Sequence, residues 1–233
     1  MSERGERITI PTPSGDVSGV WLRPASPDAT VVVAHGAGAG MDHPFMVGFA
    51  EALADLGIAT LRFNFAYMEA GKRLPDRAPR AIPVWAAAFE GARRRSDGEP
   101  VWAAGKSFGG RMASMALAEG AIDPAGLIFL GYPLHPAGKP EKLRDEHLYG
   151  LRVPMLFLQG TRDILATREL LDAVAETLPT STVAWQEGGD HSFAVKGVKR
   201  TADEVGAALA PQAAGFIRGR SPRSPADSGR PSA

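Results

Sequence analysis

Apolar runs of strand length alternate with helix-period stretches along most of this 233-residue chain, and that alternation restricts the fold more than any other feature. The run "ATVVVAHG" (29–36) is β-branched and ends in glycine, the composition of a strand buried on both faces. After it, Phe45, Phe49, Leu53 and Leu56 fall on one helical face, which Gly57 ends. The pattern repeats with "IATLRFNF" (58–65) and the stripe Trp85, Phe89, Ala92, then "PVWAAGKS" (100–107) and Met112, Met115, Ala116. The strands "AGLIFLGYPL" (125–134) and "VPMLFLQG" (153–160) follow, the second leading into a helix with Leu170, Leu171, Val174 and Leu178. "TVAWQEGG" (182–189) is the last strand, and one final helix is expected to open with a Thr201–Glu204 capping box and bury Val205, Leu209 and Phe216. Such alternation predicts an α/β fold with a mainly parallel sheet covered by helices on both faces. Two early strands near 8–12 and 17–23 have no helix between them and are expected to pair antiparallel. The length suits one domain, placed over 1–218, and the Ser-, Pro- and Arg-rich stretch 219–233 reads as a disordered tail.

Composition excludes several classes of function. The formal net charge is zero, so no long-range field draws the chain to nucleic acid or an anionic membrane. The chain has no cysteine, hence no disulfide, no thiolate metal site and no cysteine nucleophile. The start, "MSERGERITIPTPSG", is polar, and no apolar stretch approaches the ~18 residues of a membrane span, which predicts a soluble, cytoplasmic protein. No histidine–carboxylate cluster at ligand spacing appears, so neither a metal nor an organic cofactor is expected. The oligomeric state is left open.

The segment "AAGKSFGGR" (103–111) admits two incompatible chemistries. Its Gly-Lys-Ser resembles the end of a phosphate-binding loop, but that loop needs a glycine at position 100, where Pro100 has no N–H to donate. A dinucleotide fingerprint fails in "HGAGAG" as well, since Met41 and His43 occupy the positions of the last glycine. The other reading is Gly-x-Ser-x-Gly, a serine raised at the tip of a tight strand-to-helix turn. Residues two before and two after such a serine lie close together and must be small, and here they are Gly105 and Gly109. A strand precedes the motif and a helical stripe follows it, as the turn requires.

A serine nucleophile needs a base, and the base needs an orienting acid. In hydrolases built on this turn the chain order is Ser, acid, His. Of the five histidines, His147 and His191 come late enough. His147 lies in "KLRDEHL", which reads as a solvated helix face, whereas His191 lies in the glycine-rich "EGGDHSF" loop after the last strand. The expected acid is Asp163, following "VPMLFLQG" at the carboxyl end of its strand. Asp190 adjoins His191 too closely in sequence to face it and is expected to shape the loop. Two backbone amides should meet the developing oxyanion: that of Phe108, and one from the "HGAGAG" loop, Ala37 first and Gly38 next. His35 reads as a brace for that loop, and Lys106 as a flank of the turn that pairs with a nearby carboxylate.

With those residues in place, the chain resembles the α/β-hydrolase superfamily over 8–217. It is similar, more narrowly, to the group that includes testis-expressed protein thirty and the third subunit of the NSL histone-acetyltransferase complex, whose bacterial members carry dienelactone-hydrolase-like descriptions. The resemblance rests on "VVVAHGAGAGMDHPFM", "TLRFNFAYMEAGKRLPDR", "AAGKSFGGRMAS", "LGYPLHPAGKPEKLR", "LQGTRD" and "GGDHSF". It implies an α/β-hydrolase fold, with Ser107, Asp163 and His191 at the triad positions. The pattern departs at Ala66, where proline is expected, and dienelactone hydrolases proper use cysteine where this chain has Ser107. About twenty residues at 131–152 are too few for a cap domain, so an open pocket is expected. Tyr132, Leu134, His135, Tyr67 and Met68 either wall that pocket or simply pack the loops. Two functions follow: a serine esterase acting on a small-molecule acyl substrate, or a catalytically silent binding or assembly module.

Overall fold

A computed structural model describes residues 4–220 of the chain. The elements run β1 (Glu6–Ile10), β2 (Val17–Leu22), β3 (Ala29–Ala34), α1 (Pro44–Asp55), β4 (Ile58–Phe63), α2 (Ala66–Glu69), α3 (Ala78–Arg95) and β5 (Val101–Lys106). They continue with α4 (Phe108–Ala118), β6 (Leu127–Leu130), a 3₁₀ turn (Glu146–Gly150), β7 (Met155–Gly160), α5 (Arg168–Glu176), β8 (Ser181–Gln186), α6 (Ala202–Ala207) and α7 (Ala210–Arg220). The strands form one eight-stranded sheet in the order β1-β2-β4-β3-β5-β6-β7-β8. β1 and β2 pair antiparallel, as their direct connection requires, and β2 joins β4 antiparallel, while every pairing from β4 to β8 is parallel.

Period-two alternation divides the core between the two faces of this sheet. Val32 and Ala34 of β3, Leu61 and Phe63 of β4 and Phe157 of β7 pack under α3, α4 and α5, where Trp85, Met112 and Leu171 are buried. Their neighbours Val31, Val33, Trp102 and Leu156 face the other way, onto Phe49 and Leu53 of α1 and Ala213 and Ile217 of α7. The central strands are apolar on both faces because helices cover both, as their composition predicted.

Three elements differ from the sequence reading. The single C-terminal helix is two, broken at Ala208–Leu209. Pro211 lacks the N–H that would bond back to Ala207, and its ring would collide with that carbonyl, so the helix restarts with proline in its first turn. The capping box does open α6. Leu209 is buried as expected, but Val205 and Phe216 are only partly so, and Ala210, Ala213, Ala214 and Ile217 do the burying. His147 stands in the 3₁₀ turn, half-buried, with Nε2 2.8 Å from Ser114 Oγ, and is therefore not on a solvated helix face. The stretch expected to be a tail from 219 begins inside α7, and its remainder, 221–233, lies outside the described residues. Ala66 is the first residue of α2, a position where proline is equally acceptable, so the departure costs the turn nothing.

Two features of the fold shape the crevice at the sheet's carboxyl edge. The chain leaves β3 toward β4 on one side and returns to β5 on the other, which opens a gap above the β3–β5 pair. At the same edge α6 lies across α1 in backbone contact: a Cβ on Gly48 would overlap the Asp203 carbonyl, and one on Gly206 the Phe45 carbonyl. That crossing puts Ala202 and Val205 opposite Phe45 and Met46.

Candidate active site

Ser107 joins β5 to α4 with φ 48° and ψ −111°, a conformation that L side chains rarely hold. Packing imposes it. A Cβ on Gly105 would overlap the Gly110 amide, and one on Gly109 would stand 2.5 Å from the His35 carbonyl oxygen. Glycine at both positions lets the turn close, and the closed turn lifts the serine hydroxyl above the sheet.

The three loops at the ends of β5, β7 and β8 bring the expected trio together. Ser107 Oγ lies 2.8 Å from His191 Nε2, and His191 Nδ1 lies 2.7 Å from Asp163 Oδ2. The Asp163 side chain is fully buried, while the imidazole is 25% exposed, facing the crevice. Asp163 Oδ1 accepts the Leu165 amide at 2.8 Å, and Oδ2 also accepts Gln159 Nε2 at 2.6 Å. Gln159 is itself oriented by the Tyr132 N–H, which donates to its Oε1 at 2.7 Å and leaves only its amide nitrogen for the carboxylate. A carboxylate so supplied with donors stays ionised and accepts the hydrogen bond from His191 Nδ1–H, which leaves Nε2 as the acceptor facing serine. Gln159 escaped the sequence reading, and its one signal was a polar residue ending the buried run "MLFLQ".

The histidine loop is fixed from several sides. Asp190 Oδ1 accepts the Ser192 and Ala194 amides at 2.8 and 3.0 Å, the local role expected of it. Phe193 holds a positive φ of 64° and stacks on Phe45, ring centres 5.9 Å apart. Lys106 corrects the sequence reading: among the described residues it makes no hydrogen bond or ion pair to a carboxylate. Its Nζ instead donates to the His191 carbonyl at 2.6 Å and lies 5.6 Å from the centre of the Phe193 ring. Burial pushes the Lys106 ammonium down to about 8, with Asp163 and Asp190 pulling the other way.

Across the crevice, the loop after β3 is braced by His35. Its Nε2 accepts the Phe65 amide at 3.1 Å, so the ring proton sits on Nδ1 and is donated to the Gly36 carbonyl at 2.7 Å. Burial lowers this histidine to about 4, against smaller opposing effects of the Gly36 carbonyl and Glu69. The Tyr67 hydroxyl donates to the carbonyls of Gly36 and Ala37 at 3.2 and 3.1 Å. With these carbonyls held from behind, the Ala37 and Phe108 amides, both expected as oxyanion donors, donate to no acceptor among the described residues. Phe108 is also the first residue of α4, at the positive end of the helix.

A cavity of about 470 Å³ opens beside Ser107 and His191. Of the two roles left open for the residues around the loop 131–152, the structure gives the packing one. Tyr132, Leu134, His135 and Tyr67 are buried in the core and Met68 packs against it, so all five hold the loops together. The walls come instead from the loop after β3, from Phe45 and Met46, and from Ala202 and Val205. Among the described residues no group of three or more His, Asp or Glu side chains is placed to hold a metal ion, and no helix is long and apolar enough to cross a membrane.

Residues 27–218 match the alpha/beta hydrolase domain family. The chain belongs to that family. Similar solved structures include an a/b serine hydrolase without lid from Xanthomonas campestris, at TM-score 0.74 and 23% identity, covering 97% of this chain and 99% of that one. A dienelactone hydrolase from Anabaena variabilis superposes with TM-score 0.73 at 19% identity, over 93% and 97% of the two chains. Est1E of Butyrivibrio proteoclasticus, solved also with ferulic acid bound, gives TM-score 0.70 at 16% identity, over 91% and 99%. At these identities the likeness is one of fold: an α/β-hydrolase sheet with no lid over its edge.

Proposed function

We propose that this α/β-hydrolase-fold protein is a serine hydrolase of small esters or related acyl compounds. The observation that carries the reading is the unbroken hydrogen-bonded chain from Ser107 through His191 to Asp163, mounted on a strained turn and open to a cavity. As Ser107 Oγ attacks the acyl carbon, its proton passes to His191 Nε2, and the imidazolium is stabilised by the Asp163 carboxylate. The carbonyl oxygen becomes an oxyanion between the Phe108 and Ala37 amides. Collapse breaks the bond to the leaving alcohol, which departs with the proton from Nε2. Water then repeats the sequence on the acyl-enzyme, giving its proton to Nε2 and releasing the acid and free Ser107. Gln159 acts through Asp163 and is a positioning residue.

The narrower likeness to the group of testis-expressed protein thirty and the NSL subunit brings the competing role, a silent assembly module. Ser107→Ala decides between them. Assayed with a panel of esters, thioesters and lactones, the wild type should turn over at least one class, and the variant should lose about 10⁴-fold in kcat. A variant as active as the wild type, or a folded wild type inert on every class, supports the module.

A further inference from the structure

The lining of the cavity holds basic residues and no acidic one. Arg200, Lys106 and His43 line it, and no aspartate or glutamate does, in a chain whose formal charges otherwise cancel. Arg200 is exposed at the cavity's edge and makes no ion pair with a carboxylate among the described residues. Lys106, deeper in the wall, hydrogen-bonds a backbone carbonyl and faces an aromatic ring, with the carboxylates of Asp163 and Asp190 acting on it from behind the wall. The surface around them is apolar, from Phe45, Met46 and Val205. A neutral occupant would leave the Arg200 guanidinium at the cavity's edge without a counter-charge. An anionic occupant would supply the missing counter-charge in a setting where charge-assisted hydrogen bonds are strong.

We propose that the Ser107 cavity takes acyl substrates that carry an anionic group, a carboxylate or a phosphate, with Arg200 as the residue that selects for it and Lys106 adding to the positive potential. This rests on the hydrolase reading above and narrows its substrate class. The acyl carbon lies at Ser107 and the apolar stem runs along Phe45 and Val205. The anion ends toward Arg200, whose planar donor fork suits either oxyanion. Burial's downward pressure on Lys106 is consistent with a site built for a counter-ion, since a bound anion would return the ammonium toward its ordinary range.

The test compares the para-nitrophenyl monoester of adipate with its methyl-capped neutral analogue, in wild type and in Arg200→Gln. A third arm carries a phosphonate in place of the carboxylate. Wild type should prefer at least one anionic ester over the neutral one by about tenfold in kcat/KM, the effect of one charge-assisted contact at a partly open site. The preference should shrink with added salt and collapse in Arg200→Gln. Whichever anionic arm gains more tells carboxylate from phosphate. Fluorophosphonate labelling of Ser107, run alongside, reports separately on the nucleophile. Labelled protein that hydrolyses the neutral ester as well as the anionic ones, or keeps its preference in Arg200→Gln, overturns this inference and leaves the hydrolase reading standing. Protein that neither labels nor hydrolyses any of the three overturns both.

Discussion

His35 gives the account a thermodynamic prediction that is independent of any substrate. The imidazole is fully buried, with its two nitrogens committed: Nδ1 donates to the Gly36 carbonyl and Nε2 accepts the Phe65 amide. Protonation would put a second proton on Nε2, facing the Phe65 N–H, so two donors would meet in a dry site. In the unfolded chain the same ring titrates near its ordinary 6.5, whereas the fold holds it at about 4. Between those values the unfolded state binds a proton that the folded state refuses, so stability falls as pH falls. Well above pH 6.5 both states are neutral and the residue contributes no slope. Carrying the linkage from pH 7 to pH 5 gives a loss of about 2 kcal/mol from this one residue. His35→Gln keeps an acceptor for Phe65 and removes the titration. Urea unfolding at the two pH values should show wild type losing about 2 kcal/mol more than the variant, since the remaining groups contribute to both. Parallel pH dependences in the two proteins would refute the burial argument for His35.

Other consequences are equally direct. Asp163→Asn should cost about 10³–10⁴-fold in kcat, because an amide that turns its NH₂ to Nδ1 would force the proton onto Nε2, the wrong tautomer for a base. Recovery of that activity would count against an ionised Asp163 as the orienting group. Gly109→Ala pushes a methyl to 2.5 Å from the His35 carbonyl and should lower stability by about 1–3 kcal/mol in thermal melts, whereas an unchanged Tm would mean the turn tolerates a side chain there. Lys106→Met frees the His191 carbonyl, so amide exchange across 189–195 should quicken and kcat should fall. The Lys106 ammonium sits at about 8 in the fold against an ordinary 10.5, so the unfolded chain holds the extra proton between those values. Wild-type stability should accordingly rise with pH over that window relative to Lys106→Met, and equal slopes would contradict the burial of its charge.

The sheet and the Ser107 turn were readable because each obeys a local rule. A strand buried on both faces must be continuously apolar, and a turn this tight must have glycine two residues either side of the serine. Asp163 and His191 could be found because chain order and the carboxyl edge of a parallel sheet confine them to the loops after β7 and β8. What stayed hidden depended on contacts between distant segments. The cavity walls arise where α6 crosses α1 through Gly48 and Gly206, two glycines with nothing in their own neighbourhoods to announce the meeting. Tyr132 and His135 follow a strand at the correct edge, yet turn inward as core. Lys106 was expected to find a carboxylate, but its acceptor is a main-chain carbonyl 85 residues away, which no side chain signals. Gln159 reads as one polar residue ending an apolar strand, and only its bonds to Tyr132 and Asp163 reveal its place.

The central claim, that Ser107 is a nucleophile activated by His191, is tested most directly by stoichiometric labelling with a fluorophosphonate followed by peptide mapping. The account predicts one adduct per chain, on Ser107, absent in Ser107→Ala and formed far more slowly in His191→Gln. An adduct elsewhere, or equal labelling of wild type and His191→Gln, would contradict it.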